Sequence, residues 1–530
     1  MRTTRSFTQP GRSLAVGERG MVATSHPAAS VAAHDVLRDG GNAVDAAIAG
    51  VAVQCVVDPH MTGVGGDCFA LYAPKGGAPI ALNGSGRAPA AATLDWYAER
   101  GVAAIPDETP HAVTVPGAID AWCRLHADYG SLPLERLFAP AIGYAENGFR
   151  ITPRVAYDWA KAAEKLARHE EAAIQYLPGG KAPDVGDRRA QPALGATLRA
   201  VARHGRAAFY EGAVADEIVA TLRAQGGLHT LEDFAAQTSN YVDPIQAAYA
   251  GVNVHECPPN GQGLAALVIL RIMAGFDLAS ASLSEADRIH IHAEATKAAY
   301  RLRDVIVCDP AVTPVDVDRV LSEPFIARLR DGISLGQARP AEAWDEAIHR
   351  DTIYLTVVDR DLNAISFINS LFAAFGSAIY APKAGVVLQN RGLGFKLTPG
   401  HANSIAPRKR PMHTIIPGMV TQGGQAVMPF GVMGGQYQSA GHAHFISRIF
   451  DQGLSPQEAS DAPRSFSFDG VLTLEDTISP EVARDLEARG HTVAFTSDPT
   501  GGCQAIWIDR QKGALYGATD HRKDGLALGL

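Results

Sequence analysis

The chain has 530 residues, 46% of them hydrophobic, and a formal net charge of -9 at pH 7. This length and apolar content are enough for a large buried core, and the negative balance argues against a surface built for nucleic acid or an acidic membrane. Small-molecule chemistry is therefore the favoured class of function.

The N-terminal residues lack the apolar stretch of a secretory signal, and no later run is long and uncharged enough to cross a bilayer. A cytoplasmic location is therefore expected. The six cysteines are scattered without any Cys-x-x-Cys pair, which predicts packed, reduced thiols and neither a zinc site nor a disulfide framework.

The first part of the chain predicts helices followed by short strands. An Ala-rich helix is expected over residues 27–38, and a second helix begins after Asn42, whose side chain can form a capping box with Asp45. Residues 68–72 and 79–83 are typical of strands separated by a turn. Sheet is therefore expected to follow helix.

The middle of the chain, about residues 117–330, is predicted to be mainly helical, and the apolar spacing of residues 289–303 predicts an amphipathic helix. After residue 352 the strand pattern dominates. Two further helices are expected near residues 436–452 and 480–489.

Thr352 begins a strand-like stretch directly after a polar, turn-rich segment, residues 332–350, that is expected to be an exposed tether. In mid-chain a threonine hydroxyl has no base of its own. A cut in front of it would expose an α-amine with a reference pKa of about 7.7 to 8.0, which can act as the general base for the neighbouring hydroxyl. The alternative is that Thr352 merely opens a strand, since β-branched residues favour strands.

A short loop, residues 360–362, lies between two strand-like segments and predicts a β-hairpin. If Asp359 pairs with Asn363, Thr352 lies directly opposite Ser370. Facing residues on a sheet have Cβ atoms about 4.5 to 5.5 Å apart, so Ser370 is predicted to orient the Thr352 hydroxyl. A slip of one residue would break this pairing and leave Ser370 an ordinary strand hydroxyl.

A second candidate feature is the apolar strand that runs into Gly434 and Gly435 and then opens a helix. Without Cβ atoms these residues let backbone N–H groups approach a ligand closely, and the start of a helix leaves such donors unpaired. The pair is therefore a candidate oxyanion hole, with an ordinary Gly-Gly turn as the alternative.

With these features the chain resembles the γ-glutamyltranspeptidase family of N-terminal nucleophile hydrolases. The likeness covers most of the chain and is carried by separate motifs in family order: residues 40–46 (GGNAVDA), 63–67 (GVGGD), 115–117 (VPG), 258–263 (PPNGQG), 292–295 (HAEA), 409–411 (KRP) and 516–520 (YGATD). The resemblance implies an α+β fold, the four-layer αββα sandwich, with no cofactor and no metal.

The resemblance also implies one precursor that cuts itself between Asp351 and Thr352. The products would be a large subunit, residues 1–351, and a small subunit, residues 352–530, which stay together and can pair again as a dimer of heterodimers. The Thr352 hydroxyl would first attack the Asp351 carbonyl and later a substrate amide. Gly434 and Gly435 would hold the oxyanion, and water or an acceptor amine would release the acyl group.

The substrate pocket departs from the family pattern. Positions that hold the glutamyl α-amine in family transpeptidases match Arg391, Gly394 and Phe372, so no acid is left for an ammonium group. The two serines that usually bind the α-carboxylate are replaced by His413 and Thr414. An anion without a neighbouring amine is therefore the expected ligand.

Arg87 is the nearest match to the arginine that the family places before an Ala-Pro pair, displaced by two positions. Arg binds carboxylates in a bidentate manner, so Arg87 and Arg391 predict a carboxylate-bearing amide, such as oxamate or a dicarboxylic acid monoamide. Alternatively, either arginine belongs to a surface ion pair.

Three other functions are alternatives. The chain could be a true γ-glutamyltransferase or glutathione hydrolase, or an uncleaved relative that only binds small anions. A metal-dependent amidohydrolase is disfavoured, because the pair His290 and His292 falls within a predicted helix, where residues two apart point to different faces.

Overall fold

Two seven-stranded antiparallel sheets dominate the protein, as seen in a computed structural model that describes Thr8, residues 11–340 and residues 352–530. The strands are β1 (Ala15–Gly17), β2 (Met21–Thr24), β3 (Asp67–Ala73), β4 (Ile80–Gly84), β5 (Phe149–Arg150), β6 (Arg188–Arg189), β7 (Asn240–Val242), β8 (Ile245–Tyr249), β9 (Val252–Glu256), β10 (Ile353–Val358), β11 (Ala364–Ser370), β12 (Tyr380–Ala381), β13 (Val386–Val387), β14 (Gly418–Gln422), β15 (Gln425–Met433), β16 (Ser465–Phe468), β17 (Val471–Glu475), β18 (Val493–Thr496), β19 (Gly502–Asp509), β20 (Ala514–Thr519) and β21 (Leu526–Gly529).

The helices lie mostly in the part of the chain between β4 and β10. They are α1 (Pro27–Arg38), α2 (Ala43–Val57), α3 (Leu94–Ala98), α4 (Ala118–Tyr129), α5 (Leu134–Asn147), α6 (Pro153–Lys161), α7 (Ala163–Ala167), α8 (Glu170–Tyr176), α9 (Pro192–His204), α10 (Ala207–Tyr210), α11 (Ala213–Ala224), α12 (Leu231–Ala235), α13 (Gly263–Met273), α14 (Glu285–Ile306), α15 (Val317–Leu321), α16 (Glu323–Asp331), α17 (Gln438–Phe450), α18 (Pro456–Asp461) and α19 (Pro480–Ala488). Among the described residues, none of these helices has the length and hydropathy needed to cross a bilayer.

Both large sheets interleave strands from before and after residue 352. The Thr352 sheet has the order β21-β2-β10-β11-β3-β4-β7, and the glycine-turn sheet has the order β1-β20-β19-β15-β14-β9-β8. In the Thr352 sheet, β10 and β11 lie side by side between β2 and β3. The central strands of each sheet therefore come from the C-terminal part of the chain.

The hydrophobic core divides into clusters that follow the two sheets. One cluster takes residues from both sheets, including Phe69 and Tyr354 from one and Met433 and Ile506 from the other. A second combines the opposite face of the Thr352 sheet, for example Leu355, with helices α1, α2, α4 and α5. A third combines the glycine-turn sheet with α13, α14 and α17.

The side chains of β10 explain why this strand lies in the middle of its sheet. All six of its residues are buried, and successive side chains of a strand point to opposite faces. Ile353, Leu355 and Val357 accordingly join the cluster with the helices, whereas Tyr354 and Val358 join the cluster between the sheets. A strand with two apolar faces fits only in the middle of a sheet that is covered on both sides.

Most of the predicted elements are confirmed. The helix over residues 27–38 is found with those bounds, and the capping box is present: the Asn42 side chain accepts from the N–H groups of Val44 and Asp45, and the Asp45 carboxylate accepts from the Asn42 N–H. The helix predicted over residues 289–303 begins earlier, at Glu285, because Ser284 caps it. Of the predicted tether, only the part up to residue 340 lies within the described residues.

Candidate active site

Thr352 lies immediately before β10 and its side chain is buried, at 1% exposure. The β10–β11 register pairs Ile353 with Asn369, and the turn is closed by a hydrogen bond from the Asp359 N–H to the Asn363 carbonyl. This is the register predicted from the hairpin, which is thereby confirmed. The Thr352 Oγ1 atom lies 3.2 Å from the Ser370 Oγ atom, within hydrogen-bond distance.

Ser370 is itself held in place by the backbone around it. Its Oγ atom accepts a hydrogen bond of 2.9 Å from the Phe372 N–H, and Phe372 has a φ of 81°. A non-glycine residue with positive φ is strained and persists only where its surroundings hold it. The Ser370 carbonyl also packs so closely on Gly66 that a Cβ there would lie 2.2 Å from the oxygen, which explains the glycine in this motif.

A residue that was not found from the sequence, Gln438, also reaches the Thr352 hydroxyl. Its Nε2 atom lies 3.5 Å from Thr352 Oγ1, at the long end of the hydrogen-bond range, and its Oε1 atom accepts from the Ile416 N–H. Gln438 is the first residue of α17, three positions after Gly435. That position was the one available signal, because a side chain at the start of a helix lies next to the turn that precedes it.

The glycine pair forms the expected turn between strand and helix. Strand β15 ends at Met433, Gly434 and Gly435 have φ values of 121° and 57°, and α17 begins at Gln438. Residues with a Cβ atom rarely adopt such φ values, whereas glycine does so readily. Because Gln438 contacts Thr352, this turn and the hydroxyl belong to the same region of the molecule.

Arg391 is a buried cation whose protein partners are incomplete. Its side chain is 1% exposed, its Nη1 atom donates to Thr414 Oγ1 at 2.8 Å, and its guanidinium lies 4.2 Å from the centre of the Phe372 ring. Within the described part of the chain, its Nε and Nη2 atoms have no hydrogen-bond partner. Burial lowers the pKa of Arg391 to about 9, and the charge of Asp67 acts in the opposite direction.

His413 faces Asp67 and is satisfied by protein atoms. Its Nε2 atom lies 2.9 Å from Asp67 Oδ2, and its Nδ1 atom accepts from the Ile415 N–H, which assigns the proton to Nε2. Both side chains are fully buried. Burial, with help from the Arg391 charge, lowers the pKa of His413 to about 3, so this imidazole is neutral at pH 7.

The five predicted substrate residues thus fall into two groups. Arg391 contacts both Phe372 and Thr414, and His413, which precedes Thr414 in the chain, lies against Asp67. Arg87 has other partners: its Nη1 atom donates to the Arg408 carbonyl at 3.1 Å and lies 3.9 Å from Asp309. Its side chain is 28% exposed.

Thr352 also lines a small polar cavity that contains none of the other site residues described so far. Its volume is about 10 Å³, room for roughly one water molecule. The charged and titratable residues that line it were not found from the sequence, since they meet only in the folded chain: Asp58, His60, Arg154, Asp158, Lys523 and Asp524. Burial raises the pKa of Asp58 above its usual range, and Arg154 Nε donates to Asp158 at 2.6 Å.

One group within the described residues has the composition of a metal site: His290, Glu294 and His491, whose ligand atoms lie within 4.8 Å of one another. The Glu294 carboxylate is already paired with Lys297 at 2.8 Å and Arg339 at 3.1 Å. Two neighbouring cations disfavour a further divalent ion. His292 points elsewhere, to the Ala440 carbonyl.

Comparison with known proteins gives a consistent result. The family model described as gamma-glutamyltranspeptidase matches residues 29–530. A glutathione hydrolase-like proenzyme (YwrD) of Bacillus subtilis is 37% identical, covering 97% of this chain and 99% of its own. An oxamate amidohydrolase proenzyme of Klebsiella pneumoniae is also 37% identical with the same coverage. The crystal structure of a cephalosporin acylase from Bacillus halodurans superimposes with a TM-score of 0.93 at 38% identity, over 100% of this chain and 99% of that one.

The low pKa of His413 predicts a pH-dependent loss of stability. The folded value, about 3, lies below the unfolded value of about 6.5, so the unfolded chain binds more protons and the free energy of unfolding falls as the pH drops through 6.5. His413→Gln keeps an N–H donor for Asp67 but cannot titrate. We expect it to reduce the slope of stability against pH by about 1.4 kcal/mol per pH unit between pH 6 and 5.

Denaturant unfolding at a series of pH values measures this slope in the parent and in the variant. Between pH 8 and 9, where His413 is neutral in both the folded and the unfolded chain, the two slopes should agree. Equal slopes between pH 6 and 5 as well would show that His413 does not titrate as described.

Proposed function

The chain belongs to the γ-glutamyltranspeptidase family, and from this premise we propose that it is a self-processing amidohydrolase whose nucleophile is Thr352. The observation that carries the proposal is the position of the Thr352 hydroxyl, buried beside β10 and 3.2 Å from Ser370 Oγ. The names of the similar proteins, which are proenzymes of hydrolases, support self-processing. A hydroxyl becomes a strong nucleophile only when a base and an orienting group lie beside it.

Maturation is proposed to cut the bond between Asp351 and Thr352, although Asp351 lies outside the described residues. The Thr352 oxygen would attack the Asp351 carbonyl carbon, the C–N bond would break as the nitrogen takes up a proton, and water would hydrolyse the resulting ester. The products would be a large subunit, residues 1–351, and a small subunit, residues 352–530. The strand order supports continued association, because both large sheets contain strands of both parts, hydrogen-bonded to one another.

Catalysis is proposed to use the same oxygen with a new base. After the cut, the α-amine of Thr352 would accept the proton of its own hydroxyl while the oxygen attacks the substrate amide. Gly434 and Gly435 would donate through their N–H groups to the tetrahedral oxyanion, and Ser370 would orient the nucleophile. The substrate C–N bond would break as the protonated α-amine of Thr352 gives its proton to the departing nitrogen, which leaves as the free amine or ammonia. Water would then release the acyl group and restore the free hydroxyl, with an acceptor amine as the alternative.

A carboxylate on the acyl side of the substrate is proposed to bind Arg391. The unpaired Nε and Nη2 atoms of this buried guanidinium form one edge of the planar fork that binds carboxylates in a bidentate manner. The similar oxamate amidohydrolase is named for an amide of this kind, and that name supports oxamate or a short dicarboxylic acid monoamide as the substrate. Arg87, which already contacts Arg408, is the second and weaker candidate.

The family fold is proposed to be the four-layer αββα sandwich. The cluster shared by the two sheets and the helices packed on each opposite face support this arrangement. We further propose that the two subunits form a heterodimer that can pair again, that the protein acts in the cytoplasm, and that it needs no cofactor.

Replacing the nucleophile tests the proposal directly. Thr352→Ala should leave an uncut chain with activity reduced more than about a thousandfold, because no hydroxyl remains for either reaction. Thr352→Ser keeps a hydroxyl and should still be cut. Denaturing electrophoresis and intact-mass measurement follow the cut, and release of ammonia from oxamate follows activity. A Thr352→Ala chain that is still cut before residue 352 would falsify the proposal.

Ser370→Ala should slow self-cleavage by roughly ten- to a hundredfold, because the Thr352 hydroxyl loses the group that orients it. The matched control is Ser366→Ala on the same strand. The Ser366 hydroxyl is also buried and hydrogen-bonded, to the Phe430 carbonyl and Tyr354. The rate is measured as the decline of full-length chain with time after purification. Equal slowing in both variants would assign Ser370 to packing alone.

Arg391→Met should raise the KM for a carboxylate-bearing amide by about a hundredfold, the value of a charge-assisted bidentate contact. An amide without a carboxylate should be hydrolysed as before. Arg87→Met tests the second candidate and should change KM little, because Arg87 already has protein partners. The assay compares oxamate, a glutaryl amide and γ-glutamyl-p-nitroanilide. If the parent releases the γ-glutamyl group fastest, the proposed acyl preference is wrong although the nucleophile assignment stands.

A further inference from the structure

We propose that Gln262 is a positioning residue that holds the glycine turn and the Arg391 pocket in fixed relation to each other. This inference rests on the proposed function, because it assigns those two features to one reaction. Gln262 lies in the segment between β9 and α13, within the sequence PPNGQG. Its side chain is fully buried, at 0% exposure.

The side-chain amide of Gln262 bridges the two halves of the candidate site. Its Nε2 atom donates to the Thr414 carbonyl at 2.7 Å and to the Gly435 carbonyl at 3.0 Å. Thr414 is the hydrogen-bond partner of Arg391, and Gly435 belongs to the candidate oxyanion turn. Both N–H bonds of one amide are thus used to link one half of the site to the other.

The backbone of Gln262 makes the same connection a second time. Its N–H donates to the His413 carbonyl at 2.9 Å, and its carbonyl accepts from Ser439 Oγ at 3.0 Å. His413 precedes Thr414 in the chain, and Ser439 follows Gln438 on α17. Gln262 therefore makes four hydrogen bonds to two segments of the chain, residues 413–414 and residues 435–439.

Arg303 fixes which way the amide points. Its Nη1 atom donates to Gln262 Oε1 at 2.9 Å and also to Gln436 Oε1 in the glycine turn. A flipped amide would place its NH2 group against the guanidinium and its oxygen against two carbonyls, so the observed orientation is strongly favoured. The guanidinium is held over the Tyr300 ring at 4.3 Å, and the Tyr300 hydroxyl donates to the Gln436 carbonyl.

The arrangement has a direct consequence for the proposed reaction. The scissile carbonyl and the carboxylate belong to one small acyl group, so the oxyanion donors and Arg391 must be at a set distance from each other. A shift of the turn by a fraction of an ångström moves the donors away from the position of the oxyanion while leaving the carboxylate bound. Loss of the Gln262 bridge should therefore reduce kcat more than it changes KM.

Gln262→Glu is the most discriminating variant. It preserves the length of the side chain and the acceptor for Arg303 but replaces the NH2 group by an oxygen that faces two carbonyls. We expect kcat for oxamate or a glutaryl amide to fall about a hundredfold and KM to change less than threefold, and self-cleavage to slow in parallel. Gln262→Met, which removes both donors without adding charge, should lower kcat about tenfold.

Gln191→Glu is the matched control. Gln191 is also buried and also donates through Nε2 to a carbonyl, that of Val56, but it lies at the start of α9 and its N–H donates to the Ala145 carbonyl, so its hydrogen bonds involve no residue assigned to the site. We expect it to lower the melting temperature and to leave kcat of the folded enzyme unchanged. A Gln262→Glu chain that stays uncut yet melts close to the parent also supports the assignment, because self-cleavage needs the same turn.

Two results would overturn the inference. The first is a Gln262→Glu or Gln262→Met enzyme that is cut normally and has kcat within twofold of the parent. The second is failure of both variants to accumulate as folded protein, which would make Gln262 a determinant of folding. A parent chain that neither cuts itself nor hydrolyses any of the amides is a different outcome, because it removes the proposed function itself.

Discussion

The position of the Thr352 hydroxyl depends on the register of one hairpin. The Asp359 carboxylate accepts from the N–H groups of Asp361 and Asn363 inside the turn, and it also accepts from the Ala43 N–H at the start of α2. A turn fixed in this way allows one pairing of β10 with β11. Side chains alternate between the two faces of a strand, so a slip of one residue would point Thr352 away from Ser370. It would also turn each apolar face of β10 towards the hydrophobic cluster that belongs to the other face. The core and the candidate nucleophile are therefore specified by the same register.

The second constraint is electrostatic. A buried guanidinium with incomplete hydrogen bonding is unfavourable, and in this protein Thr414, the Phe372 ring and the charge of Asp67 offset only part of that penalty. Asp67 is itself committed, since it accepts from His413, Gly117 and Gln389. A bound carboxylate would complete the pairing of Arg391. An incompletely paired cation of this kind favours an anionic ligand over a neutral or cationic one, in line with the proposed carboxylate-bearing substrate.

The sequence predicts those parts of the site that depend on local patterns. The hairpin register follows from a three-residue loop between strand-like segments, and the capping box and the glycine turn follow from residue types at fixed spacing. Contacts between distant segments could not be predicted in this way. Asp67 and His413 are 346 positions apart in the sequence. Gln438, at the start of α17, is 86 positions away from Thr352. Likewise, Arg87 and Arg391 are equal candidates for carboxylate binding when judged from the sequence, and only their contacts in the folded chain distinguish them.

The topology also explains how the proposed cut before Thr352 could leave the two parts of the chain together. Thr352 precedes the first paired residue of β10, so a break on its N-terminal side removes one covalent bond and none of the β10 ladder. Strand β10 stays between β2, from the first part of the chain, and β11, from the second. Strands of the two parts also pair in the glycine-turn sheet, where β9 pairs with β14 and β1 pairs with β20. A new amine would therefore appear one residue from a buried strand that holds it still, and a freed terminus can act as a base only if it is held in this way.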